Sequence, residues 1–164
     1  MANRYTVTME NQTIVADASL ICIRAATAIS SRGSILEVER ITVSQQGTST
    51  AQQLGVILAQ KASAFGTFTS TTPAPHVVGG PASGLTGSTS VAAASAGTDA
   101  SAEGAGTVSP IIVDSFSNLS GYLWVPTPEE RIIVAIDLAF IVKIRGTPTT
   151  LTGWNATLTY NEIN

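Results

Sequence analysis

The stretch Arg131-Ile132-Ile133-Val134-Ala135-Ile136-Asp137-Leu138-Ala139-Phe140-Ile141-Val142-Lys143-Ile144-Arg145 decides the fold, because two periods compete around it. Ahead of it, Thr127-Pro128-Glu129-Glu130 has the pattern of a helix start: Thr at the N-cap, Pro in the first turn, Glu closing a capping box. Within it, Ile132, Val134, Ile136, Leu138, Phe140, Val142 and Ile144 all fall on even positions. Apolar side chains at every second residue line one face of a strand, whereas a helix repeats them every three or four. The β-branched content also lowers helix propensity. The segment therefore predicts one long strand, or two joined by a bend near Asp137.

The same period spreads outward. Tyr5, Val7 and Met9 alternate with Arg4, Thr6, Thr8 and Glu10, and Leu20 to Ala25 reads as a short buried strand. Gln53 to Ala62 carries Leu54, Val56 and Leu58 on one parity. Trp154, Ala156, Leu158 and Tyr160 alternate with polar residues most cleanly of all. From Ile35 to Gln46 the phase changes, with Leu36 and Val38 followed by Ile41 and Val43. That slip predicts a bulge or bend near Glu39-Arg40. Many short alternating strands predict an all-β chain and can supply an antiparallel β-sandwich. Enough strands and long connections are present for a jelly-roll-like one.

A length of 164 residues suits a single domain, 1–164. Only 12% of residues are charged, about half the usual share of about 25%. The 17 Ser and 22 Thr fill the gap, so the solvated faces are hydroxyl rather than ionic. From Thr67 to Ser109 the chain is Thr, Ser, Gly, Ala and Pro, with Asp99 and Glu103 its only charges and Phe68 its only aromatic. Such a composition builds little core against a backbone cost of ~1–2 kcal/mol per residue. Residues 67–109 are therefore expected as an extended insertion or contact loop, ordered against another surface.

The inventory excludes much. The single Cys22 forms no internal disulfide and reads as a small buried hydrophobe. One Cys and one His, His76, make no zinc site within a chain. There is no phosphate-binding loop and no G-x-S-x-G elbow. The pI is near 5.0 and residues 62–130 lack Lys and Arg, so nucleic acid is not an expected partner. The longest apolar stretch is too short for a bilayer, so no membrane is expected either. The N-terminus Met1-Ala2-Asn3-Arg4 enters alternation without a signal-peptide core, which implies synthesis in a cytoplasm.

Three sets of carboxylates deserve weighing. Glu37 and Glu39 share a strand face and could serve glycosidase acid/base chemistry. Asp99 and Glu103 could offer oxygen ligands to Ca²⁺, without the D-x-D-x-D-G pattern. Glu129-Glu130 follows a turn, where capping or pairing is the commoner use. For each, a solvated or structural role is favoured, so no catalytic residue, metal or cofactor is assigned and the chain is read as a non-enzyme. The residues singled out instead are candidate subunit or capsid contacts: Phe65 and Phe68, large aromatics among small polar neighbours, and His76.

Gly47-Thr48-Ser49-Thr50-Ala51-Gln52-Gln53-Leu54, Ala62-Ser63-Ala64-Phe65-Gly66-Thr67 and Trp124-Val125-Pro126-Thr127-Pro128-Glu129, with the Gly/Ala/Thr-rich middle, resemble small head proteins of tailed bacteriophages. Within that group the likeness is to capsid decoration (cement) proteins. The resemblance implies a β-sandwich or jelly-roll homotrimer on the outside of an assembled shell, clamping neighbouring major capsid subunits. It carries over no active-site residues. A charge-poor surface fits, since it avoids repulsion between many identical copies on a lattice. The expectation is thus a structural virion protein on the capsid surface. The alternative is a carbohydrate- or receptor-binding β-sandwich module of a phage fibre or appendage, which would want exposed aromatic platforms. A sandwich-fold glycoside hydrolase using Glu37, Glu39 or Asp99 ranks last.

Overall fold

A computed structural model describes residues 3–28 and 31–163. Met1 and Ala2, where the N-terminal stretch quoted above begins, lie outside them. The strands are β1 (Asn3–Gln12), β2 (Ser19–Arg24), β3 (Leu36–Gln45), β4 (Gln53–Ala62), β5 (Gly66–Ser70), β6 (Ala74–Pro75), β7 (Thr86–Gly87), β8 (Ser95–Glu103), β9 (Thr107–Ser117), β10 (Tyr122–Trp124), β11 (Ile132–Val134), β12 (Ala139–Arg145) and β13 (Trp154–Glu162). They form two packed sheets. The first runs β10-β3-β13-β1-β6, with β11 also on β3. The second runs β5-β8-β2-β12-β4-β9, with the short β7 alongside β8. The all-β architecture expected from the period is observed, and the two sheets pack as the β-sandwich that the resemblance implies.

The pairing is nested. β1 pairs β13, β2 pairs β12, β3 pairs β10 and β11, and β4 pairs β9, all antiparallel. Alternate pairs fall in alternate sheets, so the chain crosses between layers as it proceeds. The deciding segment does so in one step. Ile132–Val134 pairs with β3 in the first sheet, whereas Ala139–Arg145 lies between β2 and β4 in the second. The break is the expected bend: Asp137 takes a positive φ of 61°, and its carboxylate meets Arg24 at 2.5 Å. The competing helix signal yields one 3₁₀ turn, Pro128–Glu130, with no side-chain cap from Thr127.

The phase slip in β3 is a bulge. Opposite it on β13, Thr159 pairs Arg40 and Tyr160 pairs Val38, so Glu39 is the extra residue. Between the sheets lies the main core, including Trp154, Tyr5, Tyr160, Phe140, Leu58 and Ile41. Phe116 stands edge-on to Trp154 at 6.5 Å between centroids and tilts against Tyr122 at 5.9 Å. Such pairs add about 0.5–1.5 kcal/mol beyond burial.

The excursion, residues 67–109, carries strands of its own. It is not a structureless loop: β5 and β8 extend the second sheet beyond β2, and its end runs into β9. It also encloses a second core. Cys22, Ala59, Ala139 and Ile141 alternate with residues of the main core, so they point to the opposite face of the second sheet. There they cluster with Phe65, Phe68, Val91 and Ala100. Small side chains let the segment lie close. A Cβ on Gly97 would sit 2.6 Å from the Cβ of Phe68, and one on Gly104 would sit 1.8 Å from the carbonyl oxygen of Ala64. The Gly/Ala/Ser composition thus serves close packing against the chain's own sheet.

Candidate interaction surface

With one outer face of the sandwich covered by the excursion, the other is left open. Outward residues of the first sheet form rows across it: Thr6 opposite Thr159 and Arg40, and Thr8 opposite Thr157, Thr42 and Leu123. The face is a hydroxyl surface, as the composition implies. At one end stands a row of a different kind, Arg4 opposite Asn161, Glu37 and Ile133.

The bulge is what concentrates charge there. Glu37 and Glu39 already share the strand face by period two, and the extra residue turns Arg40 onto it as well; two carboxylates so close need cations. Arg131 Nη1 lies 3.2 Å from Glu37 Oε2 and 3.1 Å from Glu39 Oε1, and Arg4 Nε lies 2.6 Å from Glu39 Oε2. Asn161 Nδ2 donates to Glu37 Oε2 at 3.0 Å and Glu39 Oε1 at 2.7 Å. The pair suggested as glycosidase acid and base is therefore held in a shared ionic network. Beside the network is an open cleft of about 240 Å³ lined by Arg4, Arg40, Arg131, His76, Val125 and Pro126 among others.

An apolar edge adjoins this face. β9 borders the second sheet, and β10 and β11 border the first, on the same side of the sandwich. Ile111 of β9 and Ile132, Ile133 and Val134 of β11 line one shallow pocket between them. Ile111, Val113, Leu119, Leu123, Val125 and Ile133 are all exposed, six of the ten exposed large hydrophobics among the described residues. All ten are aliphatic. The β9 backbone itself is a poor template for another strand, since Pro110 lacks an N–H and Asp114 puts a charge on the edge. Contact here is by side chains.

The contact candidates from sequence are placed differently from one another. Phe65 and Phe68 are 7% and 3% exposed, inside the second core, and Arg24 stacks over the Phe65 ring at 4.7 Å. Both rings face that core. His76 is on the surface, its Nε2 beside Thr6 Oγ1, at the charged cleft. Composition could have hinted at the edge: Ile111 and Val113 follow a Pro-broken register, and Leu123 and Val125 alternate against Trp124.

Asp99 and Glu103 part company. Asp99 sits at a positive φ of 50°, and burial pushes its carboxyl above the ordinary range. Glu103 turns the other way, to Lys61, and accepts from the Ser19 backbone N–H at 2.9 Å. Burial alone would raise its pKa; the hydrogen bonds from Lys61 and Ser19 outweigh it and hold the carboxyl below the usual range. Two carboxylates spent in this way make no shared Ca²⁺ site. Among the described residues no group of three or more His, Cys, Asp or Glu is placed to hold a metal ion. Among the described residues, too, no helix is long and apolar enough to cross a membrane.

Comparison with protein-family models, with curated proteins and with solved structures returns no match.

Proposed function

We propose that this chain is a structural virion protein, a capsid decoration protein that binds the outside of an assembled phage shell and clamps neighbouring major capsid subunits, itself as a homotrimer. The observation that carries the reading is the apolar edge formed by Ile111, Leu123, Val125 and Ile133, next to a hydroxyl face of low charge. An exposed apolar band of this kind marks an interaction site rather than an ordinary solvated surface. Subunit contacts on a lattice gain from repetition, because trimerisation raises the effective concentration of each further contact.

Two further points support it. The nested pairing, with β1-β13-β3-β10 in one sheet and β2-β12-β4-β9 in the other, supports reading the sandwich as jelly-roll-like, since wrapping one long antiparallel ribbon gives that order. The three stretches that resemble phage head proteins fall at the β3–β4 connection, the β4–β5 turn and the exit from β10. Fold alone does not assign a role, so the argument rests on the surface. A carbohydrate-binding module would want an aromatic platform, and the exposed large hydrophobics are aliphatic.

The test is shell stability. Shells assembled from the genome that encodes the chain, with and without it, are heated or diluted, and their disruption is followed by light scattering. The decorated shells are expected to survive longer. Equal disruption, or a stable monomer by mass measurement, defeats the reading.

A further inference from the structure

We infer that the cleft at the charged end of the first sheet is a carboxylate-binding site, taking an Asp or Glu side chain flanked by aliphatic residues on a partner protein. This goes beyond the reading above and does not require that the partner be a capsid subunit.

The floor of the cleft is preorganised. Glu37 and Glu39 are engaged by Arg131, Arg4 and Asn161, and so fix the two guanidinium groups in place. Each guanidinium carries five N–H donors in a planar fork. Arg4 reaches its carboxylate through Nε and Arg131 reaches both through Nη1. Among the described residues, most of their donors meet no other acceptor. Arg40 enters the cleft one row away, opposite Thr159, and among the described residues it has no ion-pair partner.

The charge balance selects the ligand. Arg4, Arg40 and Arg131 face Glu37 and Glu39, a local excess of one positive charge on a chain whose net charge is −3. A single carboxylate neutralises it and matches the fork bidentately. Size points the same way. The cleft is about 240 Å³, below the roughly 300–1,000 Å³ of sites that enclose a drug-sized ligand. It admits a side chain.

The rims identify what flanks that side chain. Val125, 61% exposed, and Pro126 form one wall. His76 lines the cleft too, and its neighbours in sequence, Val77 and Val78, are 71% and 99% exposed. Apolar rims around a cationic floor gain nothing from a free phosphate, whose oxygens stay hydrated. They gain from an aliphatic–acidic–aliphatic segment, which covers them while its carboxylate meets the arginines.

The experiment follows the arginine Nε–Hε resonances of the ¹⁵N-labelled full chain as acetyl-Val-Glu-Val-amide is added. Parallel titrations use the Gln counterpart and inorganic phosphate. The expected result is saturable shifts at Arg40 and Arg131 with the Glu peptide, weakened by added salt. The Gln peptide should bind at least about tenfold more weakly, a difference of about 1.4 kcal/mol. Arg40→Gln, at an exposed position, should weaken the Glu peptide about as much while leaving the melting temperature unchanged. No response to the Glu peptide, an equal response to its Gln counterpart, or phosphate binding as tight as the Glu peptide each overturns the assignment. All are read on the free chain, so the outcome with shells has no bearing on them.

Discussion

Lys61 and Glu103 meet across the seam between the second sheet and the excursion folded over it, Nζ to Oε1 at 2.5 Å. Lys61 is fully buried at the end of β4, where its Nζ also donates to the Phe65 carbonyl at 3.2 Å. Removing one partner leaves the other charge buried and uncompensated, which costs about 3–5 kcal/mol. Glu103→Gln is therefore expected to lose about that much by urea unfolding, whereas Lys61→Met with Glu103→Gln should lose clearly less. The sign with pH follows from the lowered carboxyl of Glu103. Its contribution is complete above the unfolded value of about 4.3 and is lost as pH falls through the folded value. Wild type should lose stability on acidification through that window more steeply than Glu103→Gln. Parallel curves would remove Glu103 from the account.

Cys22 gives a second check on the same buried seam. It is inaccessible, and burial pushes its thiol well above the ordinary range. The native chain should resist a thiol-specific reagent at neutral pH and react at once in denaturant. Cys22→Ser should cost about 1–3 kcal/mol through an unpaired buried hydroxyl, and Cys22→Ala less. Fast labelling of the native chain would show that the excursion does not stay closed over it.

What the sequence made legible, and what it did not, divides along the two faces of the second sheet. The even residues of Ile132 to Ile144 are large, so the main core announced itself, and so did the bend at Asp137 and the bulge at Glu39. On the opposite face Cys22, Ala59 and Ala139 are small, and the side chains covering them come from Phe65, Phe68 and Val91, scattered along the chain. A period-two reading detects a run of large apolar residues; it does not detect small ones completed by isolated partners. The excursion consequently reads as lying against another surface, with no sign of the chain's own sheet beneath it. The charged cleft escaped for a related reason: Arg4, Arg40 and Arg131 are far apart in sequence, and only the register of β1, β13, β3 and β11 brings them together.

Gly97 tests whether the excursion is packed as described. It lies on β8 opposite Cys22 and Ser70, and an added Cβ would meet Phe68 at 2.6 Å and the Ser88 carbonyl oxygen at 3.0 Å. Overpacking of this kind costs about 1–3 kcal/mol. Gly97→Ala should be cleaved by protease within residues 65–105 much faster than wild type, while the main core still unfolds cooperatively. Equally rapid cleavage of the wild-type segment would mean that the second core is not formed in the free chain.

The apolar edge separates stability from assembly. Leu123 and Ile133 are 62% and 52% exposed, on strands that each pair β3. Thr keeps β propensity at both positions while removing apolar surface. Leu123→Thr with Ile133→Thr should therefore change the stability of the isolated chain by no more than about 0.5 kcal/mol per site. If both side chains are buried in a contact, each contributes about 1.5–3 kcal/mol there. The double variant should then dissociate from trimers or shells at least about tenfold more readily, measured by analytical ultracentrifugation and by shell co-sedimentation. Arg40→Gln, examined alongside, alters the cleft and leaves this edge intact. Unchanged assembly by the double variant would move the contact away from β10 and β11, whereas a large loss of folding stability would show that these side chains belong to the core.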